Sequence, residues 1–225
     1  MIHPVFIDIE TTGLNPCQQA YYNKHNLDAQ VLCVGIGVFK DWTVSSYKKT
    51  NVEVFSDEDE YGLLDSLREN VKKHIVHNSV YVGSHNELRE DKIVFVGWNN
   101  RKFDHAYLAS RFARHRIDPG IFGYRSRRID MGKMAYKMSG EYWKQDDWLS
   151  QKCSASLNED SVDGGDIPVL YKNGKIGKIE HHCHTDIKDL MNIFHEYRHE
   201  ALGLYMDHYG LDGGDIAVRP ETRYL

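Results

Sequence analysis

The sequence predicts an α/β domain in which a sheet is flanked by helices. Three observations predict it. An apolar run of strand length, residues 4–9, opens the chain and carries acids at its end. Two further strand-like runs follow, and then a stretch with leucines at helical spacing. With 225 residues, 41% of them hydrophobic, the chain can bury a sizeable core, read as one domain over 1–225 with a short tail from about 217.

Taken in order, residues 4–9 read as a buried first strand, residues 30–40 (QVLCVGIGVFK) as a second, and residues 42–47 as a third after a tight turn near Asp41. Ser56 followed by Asp57, Glu58 and Asp59 reads as a helix start, with a capping serine and acids on the positive end of the dipole. Leu63, Leu64, Leu67 and Val71 carry that helix to about Lys73. Residues 93–97 form a short apolar strand, and helices follow over about 103–115, 131–138 and 179–209. The polar stretches 15–29 and 76–91 read as loops without an assigned role. Residues 163–169 (DGGDIPV) are echoed at 212–218 (DGGDIAV); both read as turns entering extended segments, with too few oxygen ligands for calcium.

Chemistry concentrates in FIDIETTG, residues 6–13, where Asp8 and Glu10 stand two apart. A strand repeats every two residues, so both carboxylates share one face. Close, unpaired acids repel each other, and burying them costs several kcal/mol unless cations compensate. Hard divalent metal, which takes oxygen ligands, meets that need.

FIDIETTG resembles the first motif of the DEDD (DnaQ-like) 3'→5' exonucleases. A second segment, GWNNRKFDHAYL at 97–108, is similar to their G-x-N-x-x-F-D-x-x-x-L, and HHCHTD at 181–186 stands where the family has His or Tyr followed by Asp. The motifs come in the family's order, and the resemblance runs from about 5 to 197. It implies a ribonuclease-H-like fold with a mixed five-stranded sheet flanked by helices. It implies that Asp8, Glu10, Asp104 and Asp186 bind two Mg²⁺ or Mn²⁺ ions. It also implies hydrolysis of the terminal phosphodiester of single-stranded nucleic acid, DNA favoured over RNA, to nucleoside 5'-monophosphates. Thr11, Thr12, Leu14, Asn99 and Phe103 would then meet the substrate. The implied partners are single-stranded 3' ends, with a polymerase or another replication or repair protein as a candidate companion. The alternative is a non-catalytic nucleic-acid-binding or interaction module; the presence of all four acids and a well-spaced histidine speaks for the enzyme.

The general base has two candidates. The third motif with its surroundings (GKIGKIEHHCHTDI) is similar to the Tyr-type arrangement of predicted exonucleases related to family B polymerase proofreading domains, which selects His182, four residues before Asp186. The His-type register of five residues selects His181. On a helix, four residues bring His182 within about 40° of Asp186; on a loop before the helix, His181 can swing in. Histidine rather than tyrosine favours the five-residue register, so His181 is preferred and His182 held in reserve.

Competing metal readings are weaker. His195-Glu-Tyr-Arg-His199 matches H-E-x-x-H, the helical zinc-protease string, yet no downstream glycine and histidine complete it. Zinc on His181, His182, Cys183 and His184 fails because consecutive helical residues cannot converge on one tetrahedral ion.

The net charge of −5 conceals an asymmetry. Residues 101–144 hold eleven Lys and Arg against four Asp and Glu, a local +7, interleaved with Tyr107, Tyr124, Tyr136, Tyr142 and Trp143. Single-strand grooves use that mixture for phosphate contact and base stacking. Cys17, Cys33, Cys153 and Cys183 show no paired spacing, there is no apolar stretch of membrane-spanning length, and Met1 lies just before the first strand. A reduced, cytoplasmic compartment and no membrane association are expected.

Overall fold

The computed structural model describes residues 3–12, 29–39, 50–78, 93–100, 103–123, 126–155 and 162–210. The N-terminal apolar run forms β1 (His3–Thr11). β2 (Val31–Phe39) pairs antiparallel with it, and β3 (Thr50–Ser56) pairs antiparallel with β2. On its other side β1 pairs parallel with β4 (Ile93–Gly97), which pairs parallel with β5 (Arg127–Asp130). The order β3-β2-β1-β4-β5 makes a mixed five-stranded sheet, the class that the sequence predicts.

The described helices are α1 (Glu60–Asn78), α2 (Asp104–His115), α3 (Met131–Ser139), α4 (Gln145–Lys152), α5 (Ile167–Lys172), α6 (Ile176–Glu196) and α7 (Arg198–Tyr209). The two-residue period of β1 sorts its side chains between two layers. Val5, Ile7 and Ile9 pack with Leu63, Leu64, Leu67 and Val71 of α1 and with Leu108 and Phe112 of α2. Phe6 faces the other way, into a core with Ile187, Leu190, Met191 and Phe194 of α6. By the same parity Asp8 and Glu10 lie on the α6 side.

Two glycines let α6 lie close on the sheet. Gly35 pairs with Asp8 and Gly37 with Phe6 across the β1–β2 ladder. A Cβ on Gly35 would come within 2.8 Å of Ile187 Cγ1 and 2.9 Å of Cys183 Sγ; one on Gly37 would stand 2.6 Å from Ile187 Cγ2. The helix carrying the third motif therefore rests against bare backbone beside the first motif.

Several expectations are corrected. The third strand of the sheet is Thr50–Ser56; residues 42–47 lie outside the described residues, as do 212–218 and most of the two polar stretches. Ser56 ends β3 and its hydroxyl donates to the Glu180 carboxylate, while Asp59 Oδ1 accepts from Gly62 N at 2.9 Å and caps α1. β5 carries almost no periodic signal in the sequence, since only Ile129 of its four residues is buried. Asp163 enters a short 3₁₀ turn, with its side chain accepting from Gly165 N, and leads into α5 rather than an extended segment. The last long helix is two helices, broken at Tyr197.

Candidate metal centre

β1 delivers Asp8 and Glu10 side by side on the face that α6 covers. Glu10 pairs with Cys33 of β2, and the ladder shifts register between Glu10 and Thr11, where Leu32 of β2 is the extra residue opposite the acids. α6 supplies His182 and Asp186, one turn apart. His182 Nε2 lies 3.6 Å from Glu10 Oε1, and its Nδ1 lies 3.7 Å from Asp186 Oδ1. One ligand atom from each of Glu10, His182 and Asp186 falls within 4.8 Å of the others, so the three could hold an ion between them. Asp104 is the first residue of α2 and buried.

The electrostatics are those of carboxylates crowded together out of water. Burial, then the charges of Asp186 and Asp104, push the Asp8 carboxyl well above the ordinary carboxylate range. Glu10 is raised too, by burial first and then by Asp8. Asp104 is pushed up to about 8, by burial and by the carboxylate of Asp130. Asp8 Oδ2 is buried with no hydrogen-bond partner among the described residues. An orphan carboxylate oxygen among three other acids and an imidazole suits a hard cation, which would satisfy the oxygen and offset the repulsion.

The other sequence candidates fall around this centre unevenly. His181 is exposed, whereas its neighbour His182 is buried between Glu10 and Asp186. The reason is the helix boundary: α6 begins at Ile176, so the turn before Asp186 is already helical and the four-residue spacing faces the acid. Thr11 is buried at the bulge, and Thr12 Oγ1 accepts from Gln30 N at 2.9 Å, tying the end of β1 to the start of β2. Phe103 is half-buried and stacks on Tyr107, with centroids 5.5 Å apart. Asn99 is exposed in the left-handed region (φ 57°), and its side chain packs against Gly132. The next residue, Asn100, is fully buried, and neither polar atom of its side chain has a partner among the described residues. Leu14 lies outside the described residues.

Three contributors escaped the sequence reading. Asp130 closes β5, and its Oδ1 accepts from Asn99 N and from Lys133 N, both at 3.1 Å. It thereby fastens the second motif to the start of α3; an acid just before an apolar helical run is the N-cap signal that could have revealed it. Gln145 Nε2 donates to the Asp186 carbonyl at 2.8 Å, which binds the start of α4 to the centre. Cys183 donates to the Asp8 carbonyl at 3.8 Å, and its thiol is pushed well up by contact with Cys33 and by burial. Cys33, Cys153 and Cys183 are free thiols.

Two other readings of the sequence are narrowed. The H-E-x-x-H string straddles the break at Tyr197, and the Glu196 carboxylate accepts from Ser154 N and Oγ, so the two histidines do not share one helix face. The basic region 101–144 is not one surface either: Arg111 is buried against Glu60, and Arg127 Nη1 donates to Tyr205 OH at 3.4 Å. Among the described residues Arg114, Arg116, Lys133, Lys137 and Lys144 of this region are exposed, on separate elements.

No family model and no curated protein matches this chain. Among solved structures it is similar to the family B DNA polymerase from the hyperthermophilic archaeon Pyrobaculum calidifontis, with a TM-score of 0.55 and 13% identity over 88% of this chain. The fold is ribonuclease-H-like. The chain spans about a quarter of that polymerase, 25% of its length. In this ribonuclease-H-like sheet the central strand β1 bears the first two acids, and α6 packs against it with the fourth, Asp186. None of the described helices is long and apolar enough to cross a membrane.

Proposed function

We propose that this chain is a metal-dependent 3'→5' exonuclease of the DEDD type, acting on single-stranded nucleic acid within one domain over 1–225. The observation that supports the proposal is the cluster of Glu10, His182 and Asp186, with ligand atoms within 4.8 Å of one another, beside the unsatisfied Asp8 carboxylate oxygen, whose charge Asp186 and Asp104 oppose. The four carboxylates would hold two Mg²⁺ or Mn²⁺ ions. When bound, such ions neutralise the phosphate, acidify water and stabilise the departing 3'-oxygen. His182, kept in place by Glu10 and Asp186, takes the proton of the attacking water, a task that an imidazole nitrogen can perform. Thr11, Thr12 and Phe103 flank the acids where a terminal nucleotide would rest. The solved neighbour is a DNA polymerase, which favours DNA over RNA as the substrate.

The test uses 5'-labelled single-stranded DNA and RNA, with free or phosphorothioate-blocked 3' ends, in Mg²⁺, Mn²⁺ or EDTA. The expected result is a metal-dependent ladder shortening from the free 3' end. Asp186→Asn should lower the rate about a hundredfold or more while binding persists, since metal-borne charge stabilisation is worth several kcal/mol. Normal turnover in that variant would overturn the assignment. No cleavage by the native chain with binding intact would favour the non-catalytic module.

A further inference from the structure

On the surface beyond the metal centre, two tyrosines are stacked on one another. Tyr136 lies on the outer face of α3, 42% exposed. Tyr142 follows the helix end and is 76% exposed. Their ring centroids are 4.6 Å apart at 27°. Gly140, at φ 78°, caps α3 in the left-handed region and reverses the chain, which brings Tyr142 back over Tyr136. The exposed side chain of Met138 adds to the apolar surface.

The turn is braced from below. Ser139 Oγ accepts from Glu141 N at 3.2 Å and from Trp143 Nε1 at 2.9 Å. Trp143 packs edge-on against the buried Trp148, and its carbonyl accepts from Nε1 of Trp98, a residue of the second motif, at 3.1 Å. Two residues on, Gln145 donates to the Asp186 carbonyl. The segment from Tyr142 to Gln145 covers at most about 10 Å of chain, so the stacked pair stands at a fixed, short reach from the acids.

Lys133 shares the outward face of α3 with Tyr136, three residues on, and Lys137, exposed and one turn after Lys133, flanks that face. Lys144 flanks Tyr142 and meets Asp163 at 3.2 Å; Lys137 meets Asp207 at 3.8 Å. Both pairs are exposed and worth little, so a phosphate can displace the carboxylates.

We propose that Tyr136 and Tyr142 form a base-stacking platform for a single strand of nucleic acid, with Lys133, Lys137 and Lys144 on its phosphates, upstream of the 3' terminus held at the metal centre. The last clause rests on the exonuclease reading; the platform itself rests on the exposed stacked pair, its bracing and its charge. Every base has a π-face, so the platform reads no sequence.

The experiment measures anisotropy of 5'-fluorescein-labelled oligothymidylate with Ca²⁺ in place of Mg²⁺. In parallel it follows hydrolysis of the same oligonucleotide, and of the p-nitrophenyl ester of thymidine 5'-monophosphate, in Mn²⁺. That ester occupies only the terminal position. The Tyr136→Ala/Tyr142→Ala variant should bind the oligonucleotide about tenfold more weakly or worse, the loss expected from removing a base–aromatic stack. Its cleavage of the oligonucleotide should fall alike, and its hydrolysis of the ester should stay at the native rate. Tyr142→Phe, which keeps the ring, should bind as the native chain does. If the double variant does not fold, Tyr142→Ala alone is read in the same way. Unchanged oligonucleotide binding would overturn the platform and leave the pair as a contact for a protein. In that case continued cleavage of both substrates leaves the exonuclease reading standing. Loss of ester hydrolysis in a folded variant would show the tyrosines to be structural and also overturn the platform. Failure of the native chain to bind any strand would end both readings.

Discussion

Asp8 has one carboxylate oxygen buried without a partner among the described residues, and Asp186 and Asp104 close enough to oppose its charge. Without a cation this residue is an electrostatic cost to the fold, so neutralising it should help. Asp8→Asn should raise the melting temperature of the metal-free protein, by about 1–3 kcal/mol of relieved desolvation and repulsion, or roughly 2–4 °C per kcal/mol. On the proposed metal assignment, Mn²⁺ should raise the melting temperature of the native chain and not that of the variant. Thermal melts with and without Mn²⁺ check both, and a lower melting temperature for the metal-free variant would sink the idea. Asp104 gives the pH dependence. Its carboxyl is pushed up to about 8, so the metal-free protein holds a proton there that the unfolded chain releases near its ordinary value, and apo stability falls as pH rises between the two. A cation must displace that proton, so Mn²⁺ affinity should rise with pH up to about 8 and level off above it. Calorimetric titrations on either side of that value decide it. The acids themselves were legible in the sequence, because their spacing is local. The choice of His182 over His181 as the buried neighbour of the acids was not, because it depends on where α6 begins.

At the level of elements, the centre depends on how closely α6 approaches the sheet. Gly35 sits directly across from Asp8, and a Cβ there would meet Cys183 and Ile187 at less than 3 Å. Gly35→Ala should therefore cost about 1–3 kcal/mol of overpacking. It should also weaken Mn²⁺ binding, because α6 carries His182 and Asp186 outward as it yields. Denaturant melts and Mn²⁺ titration of one preparation test this, and native metal affinity in the variant would refute it. The strand QVLCVGIGVFK was readable from its apolar residues, but not the purpose of its glycines, since the helix they admit lies about 150 residues further along the chain. β5 illustrates the reverse case: a strand with one buried side chain has almost no periodic signal, and it exists because β4 offers it a parallel edge.

Across the whole molecule, the core under α1 and α2 is clamped by a buried charge cluster that the count of basic residues concealed. Glu60, at the start of α1, accepts from Val31 N and Arg111 Nε, both at 2.7 Å, and lies 2.7 Å from His115 Nε2. Burial alone would raise its pKa; the hydrogen bonds of Arg111, Val31 and His115 bring it below the ordinary value. A depressed carboxylate stabilises above its unfolded pKa of 4.5, and that contribution is lost as pH falls through the folded value. Glu60→Gln should cost about 3–5 kcal/mol at neutral pH by stranding the Arg111 charge, and should flatten the acid limb of the stability curve. Melting temperatures from neutral pH down to about 3, for native and variant chains, test it; parallel acid limbs would refute it. The sequence by itself determined the α/β class, the order of the three motifs and the identity of the four acids. Each of these rests on residue type and short-range spacing, which strand and helix periods translate directly into faces. Tertiary structure alone decided that His182 turns inward, that Asp130 and Gln145 fasten the centre, that Arg111 belongs to the core, and that Tyr136 and Tyr142 meet outside. Those outcomes depend on which distant surfaces pack together, and packing is settled by the whole chain at once.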